Sequence, residues 1–197
     1  MSLANKITFS RIILAPVFFI VFLLPVKDVW TVPVLWFIFI VAELTDMLDG
    51  MAARKQNEVS DFGKLFDPFA DTLMQLTCFF CFVIDGIFPA VLFLLVIYRE
   101  FSILFIRNLM LKRGITLGAR MSGKIKTVFY IFAGGAALLT DSLQRLAVFI
   151  EDHLPRFAVF VDHLPLFKTG TLIIFIISVV ISIVSFIDYM MIFKNNK

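Results

Sequence analysis

Charge, histidine and cysteine are all scarce in this chain. Only 17% of its 197 residues are charged, 60% are hydrophobic, and the mean hydropathy is +0.97. A soluble domain is about 45–50% apolar, so the composition argues against an ordinary soluble fold and for an integral membrane protein. There are two cysteines, Cys78 and Cys81. Their C-x-x-C spacing falls in the apolar run from Leu76 to Ile84 with no βαβ pattern around it, which leaves two small helix side chains rather than a redox motif. No small-x-small cleavage site follows the first apolar run, which continues through Leu24, Pro25 and Lys27. That segment is therefore read as a retained anchor and not as a removable signal.

What the chain does have is long apolar runs. A helix needs about 20 mostly apolar residues to span a bilayer, and six segments qualify. They run from Ile7 to Leu24, Val32 to Ala53, Lys64 to Ile84, Phe88 to Leu111, Gly123 to Leu139 and Thr169 to Phe193. The expected fold class is an all-α integral membrane protein with six transmembrane helices, organised as a single domain over residues 1–197. With six spans, Lys27, Arg145, Arg156 and Lys168 fall on one side and the other fourteen of the 18 basic residues on the opposite side. By the positive-inside rule both termini then face the cytoplasm. The segment from Asp141 to Lys168 holds a near-repeat, Ala147 to Pro155 followed by Ala158 to Pro165, and both histidines, His153 and His163. Each copy mixes apolar and acidic residues and ends at proline. It is read as short amphipathic helices lying in the outer interface, in preference to a histidine metal site.

Against this apolar background four aspartates stand out. Asp46, Asp49, Asp67 and Asp71 fall in the pattern D-x-x-D-G-x-x-A-R, eight residues, then G-x-x-x-D-x-x-x-D. Carboxylates in a membrane segment are costly and mark function by default. Residues three or four apart share a helix face. Asp46 and Asp49 are thus neighbours on the second helix, and Asp67 and Asp71 on the third. A short loop joins these helices, so the two pairs are expected to converge. Four uncompensated carboxylates repel one another in a low-dielectric setting, and one or two divalent cations relieve this. Hard oxygen donors with no histidine or thiolate nearby suit Mg²⁺ or Mn²⁺ and not zinc. Gly50 and Gly63 remove side chains where a ligand or a facing backbone comes close. Ala53 keeps the same face low, and Arg54 can pair with a phosphate.

A second set of charges bears on what the site would bind. Arg99, Arg107, Lys124 and Lys126 lie at the cytoplasmic ends of the fourth and fifth helices. Arg99 falls inside an apolar helix beside Glu100, where a charge needs a reason; a phosphate-bearing substrate supplies one. Lys112, Arg113 and Arg120 are read as anchors to anionic headgroups.

The run from Asp46 to Asp71 resembles the signature of the CDP-alcohol phosphotransferases, with every fixed position present. The resemblance extends to bacterial phosphatidylglycerophosphate synthases. It is carried by the opening from Asn5 to Pro16, by Thr45 and Pro68 beside the aspartates, by Arg99-Glu100-Phe101 with Arg107, and by Gly123-Lys124-Ile125-Lys126-Thr127; Ser185 and Asp188-Tyr189 match weakly. Two features depart from it: Thr72, where lysine is common, and the long 141–168 segment. The resemblance implies a six-helix homodimer in the cell's inner (cytoplasmic) membrane, with a polar cavity facing the cytoplasm and no nucleic-acid partner. It implies CDP-diacylglycerol as donor, glycerol 3-phosphate as acceptor, and phosphatidylglycerophosphate and CMP as products. It further implies Asp46, Asp49, Asp67 and Asp71 as ligands of Mg²⁺ or Mn²⁺, as two ions, with Asp71 as general base. Asp49, Gly50, Ala53, Arg54 and Gly63 would shape the nucleotide pocket, and Arg99, Arg107, Lys124 and Lys126 would bind the acceptor phosphate. The alternative is another acceptor or donor within the family: phosphatidylinositol-phosphate, phosphatidylserine or cardiolipin synthesis, or choline- or ethanolaminephosphotransfer.

Overall fold

A computed structural model describes residues 3–24, 29–55, 61–112, 121–153 and 163–195; within these, the side chains of 3–7, 46–55, 61–65, 151–153 and 195 lie outside the description. The described residues form six α-helices and no strand. They are α1 (Leu3–Leu23), α2 (Thr31–Lys55), α3 (Asp61–Ile84), α4 (Ala90–Lys112), α5 (Met121–His153) and α6 (Leu164–Asn195). Each contains most or all of one of the six apolar runs. α1 packs against both α2 and α3, α5 lies along α6, and α4 bridges α3 and α6.

Phenylalanine fills the centre. Phe88 stacks on Phe175 with ring centroids 3.7 Å apart, and Phe79 meets Phe88, Tyr130 and Phe175 edge-on at 5.4–5.5 Å. Aromatic pairs of this kind contribute about 0.5–1.5 kcal/mol each beyond the area they bury. Here they tie α3, α5 and α6 to the start of α4. Gly134 on α5 has no side chain where the Phe39 ring of α2 presses in; a Cβ there would lie 3.1 Å from that ring. α3 closes on Gly86, whose φ of 67° is open to glycine at little cost. The amides of Gly86 and Ile87 return to the carbonyls of Val83 and Phe82, a Schellman cap that turns the chain into α4.

The outward surface is apolar. Phe37, Val91, Phe132 and Leu166 are each about two-thirds exposed or more, a pattern that water-facing surfaces avoid. Among the described residues, Phe66–Ile84 and Leu164–Lys194 are long and apolar enough to cross a membrane, and Thr8–Leu23 and Thr31–Thr45 are shorter apolar helices.

The structure corrects the reading of residues 141–168. Residues 141–153 are not a separate short helix; they continue α5, which is 33 residues long. Residues 164–168 begin α6. The reason is that the polar side chains after Leu139 turn into the bundle. Asp141 and Arg145, one turn apart, form a buried ion pair at 2.8 Å. Arg145 also donates to the Thr31 hydroxyl and the Phe22 carbonyl, at 2.9 and 3.3 Å. The Trp36 indole donates to Ser142, and Thr140 meets Thr171. This knot joins α1, α2, α5 and α6 at the end of the bundle away from the aspartates. His163 is exposed; the His153 side chain and residues 154–162, including most of the second repeat, lie outside the described residues.

Candidate active site

α3 presents Asp67 and Asp71, four residues apart and so on one face. They border a cavity of about 290 Å³ with Thr72 and Gln75 of the same helix, facing Arg99, Glu100 and Arg107 of α4, Gly123, Lys124 and Lys126 of α5, and Tyr189 of α6. The lining from α3 is therefore acidic, and that from α4 and α5 carries four cations and one carboxylate, Glu100. Pro68, beside Asp67, lacks an amide proton and removes one helical hydrogen bond at that point.

The acidic wall is braced by α1. The hydroxyl of Thr8 donates to Asp67 Oδ1, and the guanidinium of Arg11 pairs with Asp71 Oδ1. Residues 8 and 11 share a face of α1 as 67 and 71 share a face of α3, so the two contacts form successive rungs. Thr8 and Arg11 are buried at 1% and 2% exposure, whereas the Asp71 side chain keeps 41%. The arginine thus serves as an interior brace and the carboxylate stays accessible from the cavity.

The four basic residues expected to bind phosphate all border the cavity, but they are engaged differently. Arg99 is buried. Its Nη1 donates to both oxygens of Glu100 at 2.9 Å, its Nη2 to Ser185 Oγ at 3.2 Å, and its Nε to the Ser182 carbonyl at 3.3 Å. Lys126 is also buried, 2.9 Å from Glu100 Oε1 and over the Tyr130 ring at 4.3 Å. The Tyr130 hydroxyl continues the network to Ser182. Arg107 and Lys124 make no ion pair among the described residues. The guanidinium of Arg107 lies over the Tyr189 ring at 5.9 Å, and Lys124 is exposed. Tyr189 is set in place by its neighbours: Asp188 accepts from Ser122 at 2.7 Å, and bare Gly123 leaves room for the Tyr189 hydroxyl, which would lie 3.3 Å from a Cβ there.

Asp46, Asp49, Gly50, Ala53 and Arg54 fall on the last turns of α2 and Gly63 on the first turn of α3, with side chains outside the described set. No group of three or more His, Cys, Asp or Glu side chains gathers as a metal site among the described residues. The part that is described, Asp67 and Asp71, offers hard carboxylate oxygens to a cavity lined by neither histidine nor cysteine, which suits Mg²⁺ or Mn²⁺. Sequence reasoning named Thr8, Arg11, Glu100 and Tyr189 among the matching segments but assigned none of them to the site. A signal for the first two was present: Asn5, Thr8 and Arg11 recur every three residues, a polar stripe at the start of a mostly apolar helix.

Comparison with known proteins bears on what this cavity does. The family model described as CDP-alcohol phosphatidyltransferase matches residues 1–184. A curated protein of Treponema pallidum, named CDP-diacylglycerol–glycerol-3-phosphate 3-phosphatidyltransferase, is 38% identical over 157 residues, covering 80% of this chain and 67% of its own. A Bacillus subtilis protein of the same name is 38% identical over 160 residues, covering 75% and 82%. One from Rickettsia felis is 31% identical over 134 residues, covering 67% and 72%.

Proposed function

This chain belongs to the CDP-alcohol phosphatidyltransferase family, and on that premise we propose that it transfers the phosphatidyl group of CDP-diacylglycerol to glycerol 3-phosphate, giving phosphatidylglycerophosphate and CMP. It is a transferase. The observation that carries the choice of acceptor is the cavity itself, which two carboxylates on α3 line together with Arg107 and Lys124. An acceptor with a hydroxyl to be activated and a phosphate to be gripped spans that polarity; serine and free inositol lack the phosphate. Asp71 accepts the proton of the attacking hydroxyl. The hydroxyl oxygen forms a new bond to the phosphorus bearing the diacylglycerol, and the bond from that phosphorus to the CMP oxygen breaks, its electron pair leaving with CMP. Transfer of this kind depends on positioning and charge stabilisation more than on covalent help from the protein. Arg11 and Thr8 orient the two carboxylates, and Arg107 with Lys124 fixes the acceptor phosphate.

Asp67 and Asp71, with Asp46 and Asp49 from α2, are the residues that would hold Mg²⁺ or Mn²⁺, as one ion or two. The chemistry a cation held there would supply is neutralisation of phosphate charge. Asp49, Gly50, Ala53, Arg54 and Gly63 form the nucleotide pocket in this reading. The protein lies in the cytoplasmic membrane as six spans, both termini and the cavity toward the cytoplasm, and acts as a homodimer among membrane lipids. The apolar outward faces and the fourteen-to-four division of basic residues support that placement.

Two outcomes follow. Protein purified in detergent with CDP-diacylglycerol and Mn²⁺ is expected to release CMP with glycerol 3-phosphate and not with serine, inositol phosphate or phosphatidylglycerol. Chelation by EDTA stops the release and added Mg²⁺ or Mn²⁺ restores it. Metal-independent release, or release with serine alone, overturns the proposal. Arg107→Ala is expected to raise the KM for glycerol 3-phosphate at least about tenfold, the scale of one charge-assisted phosphate contact, and to change the KM for CDP-diacylglycerol little. Initial-rate kinetics with each substrate varied in turn decides this.

A further inference from the structure

Among the described residues that α4, α5 and α6 bring to the cavity, Glu100 is the one carboxylate, and the proposed reaction gives it nothing to do. It is 5% exposed. It accepts two hydrogen bonds from Arg99 and one from Lys126, all at 2.9 Å. Those contacts split four cations into two kinds. Arg99 and Lys126 point their donors at Glu100, at Ser185 and at the Ser182 carbonyl, while Arg107 and Lys124 have no anionic partner among the described residues. Charge-assisted hydrogen bonds in a buried setting are the strong ones, and breaking such a cluster leaves a charge without compensation. An incoming phosphate therefore competes poorly for Arg99 and Lys126 and well for Arg107 and Lys124.

We propose that Glu100 is a positioning residue that sets the anion affinity of the acceptor site: it holds Arg99 and Lys126 back, so that one phosphate monoester is gripped by Arg107 and Lys124 alone. This rests on the proposed acceptor chemistry and adds its regulation. A site with all four cations free would bind phosphate tightly in substrate, product and inorganic form alike. Tight binding of ground state and product does not speed turnover. Keeping two cations engaged moderates the affinity so that product leaves.

The test uses the full chain in detergent and needs no turnover for its first arm. Acetic anhydride modifies accessible, uncommitted amines, and mass spectrometry of the 121–130 region separates Lys124 from Lys126. In the unmodified protein Lys124 is expected to react at least about tenfold faster than Lys126, as the contrast between a solvated amine and a charge-paired buried one requires. Inorganic phosphate should protect Lys124. In Glu100→Gln, Lys126 becomes reactive and phosphate then protects both lysines. The second arm measures CMP release. Glu100→Gln should be inhibited by inorganic phosphate at about tenfold lower concentration than wild type, the effect of one added charge-assisted contact. KM for glycerol 3-phosphate and kcat should fall together, because product phosphate is held as well. A purely structural glutamate would instead leave phosphate inhibition where it was. Equal reactivity and equal protection of Lys124 and Lys126 in wild type would overturn the proposal, whether or not Glu100→Gln folds. Unchanged phosphate inhibition in a folded Glu100→Gln protein would also overturn it. Absence of CMP release by wild type with glycerol 3-phosphate would fail the acceptor assignment, while the labelling arm still decides the role of Glu100.

Discussion

Asp71→Asn is expected to lower kcat for CMP release by about 10²–10⁴-fold, the range that a positioned general base contributes. The substitution keeps the size and shape of the side chain and removes its ability to accept the hydroxyl proton. It also removes one of the hard oxygen charges offered to the cavity. The fold should tolerate it, because the Asp71 side chain is 41% exposed and borders the cavity. The amide oxygen can still accept from Arg11, so the brace between α1 and α3 weakens without breaking. Binding of CDP-diacylglycerol, followed by calorimetry in detergent, should persist while turnover is lost. A variant within about tenfold of wild-type kcat would remove Asp71 from the base role, since that loss lies below what general-base catalysis contributes. Asp67 would then be the candidate, and Asp67→Asn the next variant.

The second large effect concerns stability at the opposite end of the bundle. Arg145→Met leaves Asp141 as a carboxylate at 0% exposure without its guanidinium. Breaking a buried pair from one side costs about 3–5 kcal/mol. The same substitution loses the donors to Thr31 and to the Phe22 carbonyl and the contact of Arg145 with the Phe22 ring at 5.1 Å. For a chain of this size the melting temperature should drop by about 6–20 °C, taking 2–4 °C per kcal/mol. Adding Asp141→Asn should recover part of that loss, because the charge that has lost its guanidinium is removed. Below its melting temperature the single variant should still turn over, since the knot lies away from the cavity. A melting temperature unchanged by Arg145→Met would show that the cluster does not hold α1, α2 and α5 together.

The knot also shows where sequence reasoning stopped. Hydropathy located six helices because a long apolar run buries its backbone polar groups only where they are paired, and a helix pairs them within itself; the helix starts agree to within a few residues for most of them. The fifth was cut short at Leu139 because Thr140, Asp141 and Ser142 read as the edge of the apolar layer. In the structure those side chains face inward and satisfy one another, so the helix continues to His153. The i, i+4 spacing of Asp141 and Arg145 carried that information. A reading tuned to span length passed over it.

The site was legible to a similar degree. Asp67, Asp71, Arg107 and Lys124 were named from the motif and its flanks, and the fold gathers them around one cavity. Arg99 was singled out because a charge in an apolar helix needs compensation. Its compensation comes from Glu100, the adjacent residue, and from Ser182 and Ser185 more than 80 positions away; Ser185 was noted as a weak match, and nothing local ties either serine to Arg99. Arg11 was counted among the charges that orient the chain in the membrane. Only the packing of α1 on α3 shows that it turns inward to Asp71.

The acceptor is tested most directly by a competition in a single tube. Purified protein, Mn²⁺ and CDP-diacylglycerol are mixed with equal concentrations of glycerol 3-phosphate, inositol phosphate, serine and phosphatidylglycerol, and the lipid products are identified by mass while CMP is counted. The predicted result is phosphatidylglycerophosphate as the one new lipid, formed mole for mole with CMP. Phosphatidylserine, phosphatidylinositol phosphate or cardiolipin as the main product would contradict the account, because none of these would require the phosphate of glycerol 3-phosphate to be held at Arg107 and Lys124.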